Sequence, residues 1–527
     1  MQNNQISPSR PLHSEQNPEG SNASVPDIVT MHGDSSSSDT TPLAGPGVNS
    51  PKISHHNNLG AFPTMLQRGD GNIFALATSF ADFLPYYGPT ETPAIHPEVW
   101  IIDGETGQKL SDPYKLDANG LLSGVYAYVE QDQSGNGADR LVTTISDEAG
   151  IHIAKFSASP ETGYTVSWEN YATITDFVMA DDSIISLSPD ADGDIWFVTA
   201  QGVLGVVSHN DEPTRSLQLG RGETINNSFS TATLKTGDQD VQIAAVASSQ
   251  KLYLVKKPVD PTESLALLGD ALSYEYGHQL KPGQLPYAAP LGDSSDRPQI
   301  WGTGATPTFF GPDTGVEYVM ITGNNHKSLK LYVWEVRTGR KICEHQLFKD
   351  PNARGTENSA IGIGNTIIVS SSYGYPYPVP EDFFIRREHP FYGGMTRVDL
   401  SFHGDIPIGA ETVWEQPVRS AAVPRLSLQD SRIYTMTRQG ASNVASAKDH
   451  YAYCVMRFDT GEVEYKKDLR KVERFQRPES ERPGYVRDIR FALDDPLQMV
   501  GCVSQNKVGR TVLWQGTMDG FFRIEAL

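Results

Sequence analysis

From about Asn57 to Leu527 the chain repeats one texture, in which short apolar runs are cut by polar turns. Runs such as GNIFALAT, EVWIIDGETG, GIHIAKF, DGDIWFVTAQGVLGVVS, EYVMITG, NTIIVSSS and YAYCVMRFDTG are bounded by Gly, Asp, Asn or Pro. Apolar residues with a period of two between turn formers predict β-strands joined by tight hairpins. No stretch keeps a helical period for three turns. PTESLALLGDALSYEY is the best helix candidate, and it is short. Many short strands without intervening helices predict an all-β domain.

A weak repeat underlies the pattern. WIIDGETGQKL, VWEVRTGRKIC and MRFDTGEVEYK each read as an apolar strand, a polar turn ending in Thr-Gly and a charged strand, and FSASPETGYTVSW is a looser copy. The glycine suits the left-handed position of a hairpin turn. A domain spanning 58–527 divides into eight four-stranded blades of about 59 residues, or seven of about 67. The prediction is a single β-propeller of eight blades, with seven as the alternative. The terminal run GFFRIEAL is placed to close the ring with strands from the other end of the chain.

Residues 1–57 differ. GDSSSSDTTPLAGPGVNSP has almost nothing to bury, so this stretch is predicted to be a disordered tail. His55 and His56 fall within it. The chain carries 43 Lys and Arg against 64 Asp and Glu, a net charge of -21, which argues against nucleic acid or an anionic membrane as the main partner. Three cysteines, Cys343, Cys454 and Cys502, are too few and too scattered for a disulfide framework. The chain shows no signal-peptide pattern and no apolar stretch of about 18 residues, so a cytoplasmic location is expected. Protein partners are compatible with the acidic surface.

The hairpin YVWEVRTGRKICEHQL and the closing phrase GTMDGFFRIEAL resemble the repeats of quinoprotein alcohol-dehydrogenase-like propellers. That resemblance implies the fold and, as one alternative activity, dehydrogenation with a PQQ-type quinone and calcium. The chain lacks the adjacent-cysteine pair of many such enzymes, and the repeat Trp occurs in few blades. A closer similarity, over about 225–460, is carried by INNSF, ATPTFF, ITGNNH, TENSAIGIGNTIIVSSSYGYP, GMTRVDL and VPRLSLQDSRIYTMTR. These phrases resemble a poorly characterised, mostly bacterial and often exported propeller family. Its members tend to place a second cysteine after the RVD strand, where this chain has none; that departure suggests an intracellular relative.

Several polar residues sit beside short apolar strands, at the strand ends that line a propeller's central channel. They are Asn226, Asn227, Thr306, Asn324, Asn325, Glu357 and Asn358. A ring of amides around one carboxylate suits a polar small molecule, with Glu357 as general acid or base; the alternative is that these residues satisfy strand-end backbone groups. Arg425 and Arg397 interrupt apolar strands and suit either a structural ion pair or a substrate carboxylate. Tyr373, Tyr375, Tyr377 and Tyr392 belong to an aromatic, proline-rich stretch suited to capping the channel. Asp190, Asp192 and Asp194 lack the distal Glu of an EF-hand and read as a hairpin turn. No P-loop, dinucleotide fingerprint or nucleophile elbow is present. Together these residues point to a small-molecule enzyme or binding protein without a redox cofactor, suited to specialised metabolism. A non-catalytic scaffold is the further alternative.

Overall fold

A computed structural model describes residues 28–527 apart from 58–59, 79–96, 116–120, 123–125, 133–137, 180–181, 211, 238, 274–302, 325–327, 354, 374–390, 441–448, 477–498 and 518. Among these residues there is no α-helix, and the strands form antiparallel sheets that follow one another along the chain as blades 1–8. Their innermost strands are Ala61–Gln67, Tyr128–Glu130, Ile184–Pro189, Ser230–Thr236, Thr308–Phe310, Ile361–Ile363, Arg425–Ser427 and Cys502–Gln505. Each sheet runs outward from its innermost strand, and a single bridge between Gly520 and Ala61 links blades 8 and 1. The architecture is a β-propeller of eight blades, which decides between the two predicted counts.

A blade is buried on both faces, so the residues of one strand divide between two neighbours. In Ile195–Thr199 of blade 3, Ile195 and Phe197 pack towards blade 2, whereas Trp196 and Val198 pack towards blade 4. Eight apolar clusters, one at each junction, complete the circuit, and the junction of blades 8 and 1 is filled by Phe62, Trp100, Trp514 and Phe521. Burying each large side chain contributes about 1.5–3 kcal/mol, so the ring is held chiefly by these junctions.

The Thr-Gly repeat has a common position. Gly107, Gly163, Gly339 and Gly461 all take positive φ, between 61 and 74°, in the turns between third and fourth strands of blades 1, 2, 5 and 7. In the first of them the Asp103 carboxylate accepts hydrogen bonds from the Glu105 and Thr106 amides. The predicted helix is absent: its described part contributes the short strands Ala266–Leu267 and Leu272–Ser273, both paired with Lys251–Lys256 of blade 4. Alternating Leu and Ala there meet a sheet edge, which overrides helix propensity.

The boundary drawn at residue 57 is corrected by the structure, since residues 28–57 belong to the propeller. Lys52–Asn57 pairs antiparallel with the C-terminal strand Gly520–Glu525 and supplies the fourth strand of blade 8. The ring therefore closes by joining the two ends of the described chain. His55 and His56 lie in this strand and are buried, with the His56 ring stacked between Phe475 and Phe521 at centroid distances of 4.8 and 4.9 Å.

The preceding residues fill the channel. Ile28–Thr30 runs antiparallel to the innermost strand of blade 2, towards the end of the channel where the innermost strands begin, here called the mouth. The chain turns there over Met31–Asp39. It then descends as Thr40–Thr41, parallel to Leu426–Ser427 of blade 7. His32 and Ser35–Thr41 are all buried. An innermost strand has one unpaired edge facing the axis, and such an edge needs hydrogen-bond partners. The second residue of four successive innermost strands donates its amide to this plug: Thr231 to Ser35 O (2.8 Å), Phe309 to Ser36 O, Gly362 to Ser38 O and Leu426 to Asp39 O (3.1 Å each). One carbonyl is thus offered to each of blades 4, 5 and 6 and two to blade 7, where Leu428 also donates to Thr41 O at 2.9 Å.

Candidate functional site at the channel mouth

The plug brings three titratable side chains, His32, Asp34 and Asp39, to the mouth. His32 Nδ1 lies 2.8 Å from Asp39 Oδ1, and Ser359 Oγ donates to Asp39 Oδ2 at 2.5 Å. On the other side of the ring, His32 Nε2 lies 3.3 Å from Thr306 Oγ1. Thr306 Oγ1 in turn lies 3.3 Å from Asn227 Oδ1, which also accepts from the Tyr126 hydroxyl and, at 2.8 Å, from the Ser228 amide. The Tyr126 ring stacks over His32 at 6.4 Å. An aspartate on Nδ1 fixes the tautomer that leaves Nε2 as a proton acceptor. The Thr306 hydroxyl has one proton, given either to His32 Nε2 or to Asn227 Oδ1, so the pairs Asp39–His32 and Asn227–Tyr126 form one row that meets at Thr306.

Beside this row is a small cleft, partly open to solvent and with room for about one water molecule, whose lining includes His32, Asp34, Tyr126, Leu187, Ser188 and Phe229. The Asp34 carboxyl is pushed above the usual aspartate range by burial, against the opposing pull of its Ser38 hydrogen bonds and of Arg425. Met31 packs with Val423 and Val500 in a small apolar cluster that Tyr126 and Met499 also contact. Polar groups converge there beside an apolar wall, the make-up of a small-molecule site on a smaller scale.

The predicted residues separate into groups. Asn227, Thr306, Asn358 and Glu357 come to the mouth, because each lies two to four residues ahead of an innermost strand. Asn226 is half-buried beside Asn227. Glu357 is half-buried, and its amide donates to Ser372 Oγ at 3.0 Å. The Asn358 side chain donates inward to Ser370 Oγ, and Asn324 ties Thr303 O and Thr356 O together across two loops. Both amides brace strand ends.

Arg425 is buried and, among the described residues, meets no carboxylate directly. It donates to Thr40 O (3.1 Å), Met31 O (2.6 Å) and Gly501 O (3.2 Å), so one guanidinium clamps both legs of the plug to blades 7 and 8. Arg397 lies on a third strand, away from the channel, and holds Asp399 through two hydrogen bonds of 2.8 and 2.7 Å while covering the Phe458 ring. Tyr373 and Tyr392 are half-buried. Asn325, Tyr375 and Tyr377 lie outside the described residues.

Two other clusters are structural. Lys257 Nζ sits among Asp190 (2.5 Å), Asp192 (2.9 Å) and Asp194 (2.7 Å), so the aspartate-rich turn encloses the protein's own ammonium group. Asp190 also accepts from the Trp196 indole at 2.8 Å, which ties this cluster to the junction of blades 3 and 4. Cys343, Cys454 and Cys502 are free thiols; burial pushes them up to about 12, 12 and 11, far from the range of a reactive thiolate.

His32, Asp34, Asp39, Tyr126 and Ser359 escape the sequence reading. The first three fall in the stretch read as a tail. Tyr126 and Ser359 precede innermost strands, as Asn227 and Thr306 do, and this position was the available signal.

No family model and no curated protein matches the chain. Among solved structures, the Dos1 propeller is 10% identical, with a TM-score of 0.47 over 90% of this chain and 95% of that one. A chain of the mitotic checkpoint complex is 10% identical, with a TM-score of 0.34 over 75% and 94%. No described helix is long and apolar enough to cross a membrane.

Proposed function

We propose that this propeller binds or transforms a small organic molecule at the plugged mouth by acid–base chemistry, without a redox cofactor. The observation that supports this reading is the row Asp39–His32–Thr306–Asn227–Tyr126 beside the mouth cleft. His32 Nε2 is the proton acceptor, the Thr306 hydroxyl is its neighbour in the row, and Asn227 holds Tyr126 against the cleft. Glu357, at the rim, is the second acid or base. A role in specialised metabolism, in the cytoplasm, belongs to the same proposal. The likeness to quinoproteins gives less support to a quinone dehydrogenase. Its Thr-Gly hairpins turn at the opposite ends of the blades, away from the mouth.

Native mass spectrometry of the protein purified from its own host tests the reading. The expected result is a non-covalent organic molecule of constant mass, lost in His32→Gln while near-ultraviolet circular dichroism is unchanged. A protein that carries no ligand, together with a His32→Gln or Glu357→Gln variant that keeps full activity in cells, overturns it and favours a scaffold.

A further inference from the structure

The plug has the character of a ligand more than of a core element. We infer that the channel is a peptide-binding site for a segment of small hydroxyl-bearing residues, filled in cis by residues 28–41 and able to exchange that segment for an identical one supplied in trans.

Four observations support this. First, recognition runs mainly through backbone: four blades donate amides to the carbonyls of Ser35, Ser36, Ser38 and Asp39, and Arg425 donates to two more. Donors of this kind belong to the innermost strands and are present whether or not the plug is seated, as in the addition of a strand to an exposed sheet edge. Second, the apolar contacts of the plug are confined to its start: Met31 is buried, Ile28 and Val29 pack half-buried against the junctions beside blade 2, and nothing from His32 to Thr41 is apolar apart from Gly33. Third, the site selects for size. A Cβ at Gly33 would lie 2.4 Å from Thr40 O and 2.5 Å from Arg425 Nη1, at a φ of +93°. Ser37 and Asp39 take φ of 58° and 54°, a left-handed geometry in which bulky or β-branched residues are disfavoured. Fourth, polar fixings hold the shape of the turn. Asp34 accepts from the Ser38 amide and hydroxyl, and Ser230 Oγ donates to Ser37 Oγ at 2.8 Å.

The plug also leaves the ring-closing strand free to stand alone. Residues 42–51 link the two; Leu43 and Val48 pack against the junction of blades 7 and 8, and Asn49 and Ser50 are exposed. Blade 8 keeps its fourth strand whether or not the channel is occupied. On the acid–base reading above, His32 and Asp39 arrive with the plug, so the mouth centre exists only while the plug is seated.

The test uses the full chain with a protease recognition sequence inserted between Asn49 and Ser50, cut after folding. Size-exclusion chromatography follows the severed segment, and a fluorescent synthetic peptide of residues 27–49 reports exchange by anisotropy. The expected result is that the segment co-elutes with the propeller and the labelled peptide replaces it. The same peptide carrying Gly33→Val should bind at least tenfold more weakly. Immediate loss of the segment overturns the inference, because the channel then has no useful affinity for it. So does a segment released only when the blades unfold, because the plug is then part of the core. The readout is binding alone, so it stands whether or not the mouth is catalytic.

Discussion

Two pieces of the same polar N-terminal stretch meet the propeller in opposite ways. Lys52–Asn57 joins as a strand: Ile53 and Phe522 enter the cluster between blades 7 and 8, and the His55 ring lies 4.4 Å from that of Phe522. Met31–Thr41 joins as a thread of carbonyls and hydroxyls, with one buried large hydrophobe. Apolar burial holds the first, and hydrogen bonds to otherwise unpaired strand edges hold the second. Low hydrophobicity predicts disorder only when the chain must make its own partners. Here the ring presents the partners ready-made.

Removing apolar surface from the closing strand's side should have the largest effect. Phe522→Ala is expected to cost about 4 kcal/mol, through lost burial and the cavity it leaves. Urea unfolding measures this, and a loss below about 1 kcal/mol would mean that the closing strand is held as the plug is, by its backbone.

Acid should act on the same strand. Burial, with a smaller contribution from Arg523, lowers the His56 pKa from 6.5 to about 4. Between these values the unfolded chain binds the proton that the folded chain refuses, so stability falls as pH falls from 6.5 towards 4. The loss should reach about 3 kcal/mol at the acid end. His56→Phe should flatten that part of the stability–pH curve, and an unchanged slope would acquit His56.

The smallest effect is expected in the plug. Ser37→Ala deletes one acceptor for Ser230 Oγ, worth about 1 kcal/mol. Amide exchange at Thr231 and Phe309 should quicken while the global unfolding midpoint barely moves. A global loss as large as that of Phe522→Ala would erase the distinction between the two pieces.

Much of the architecture was legible because strand period and turn chemistry are local. Ile195–Thr199 declared itself by length and β-branched content, and Gly107, Gly339 and Gly461 by their turns. The candidate site was half legible. Asn227 and Thr306 could be picked out as polar residues ahead of short strands, since that position recurs in each blade. Arg425 stood out as a charge in an apolar strand, yet its partners are backbone carbonyls that no side-chain pattern announces.

By itself the sequence determined the all-β class, the repeated hairpin and the absence of a disulfide framework. Each follows from residues near one another along the chain. Only the tertiary structure decided that there are eight blades, that Lys52–Asn57 completes the last of them, and that MHGDSSSSDTT lines the axis and delivers His32 and Asp39 to the mouth. The physical reason is the ring itself. Circular closure sets unpaired amides from distant blades around one narrow channel, and a segment with nothing to bury acquires partners there only after they have been assembled.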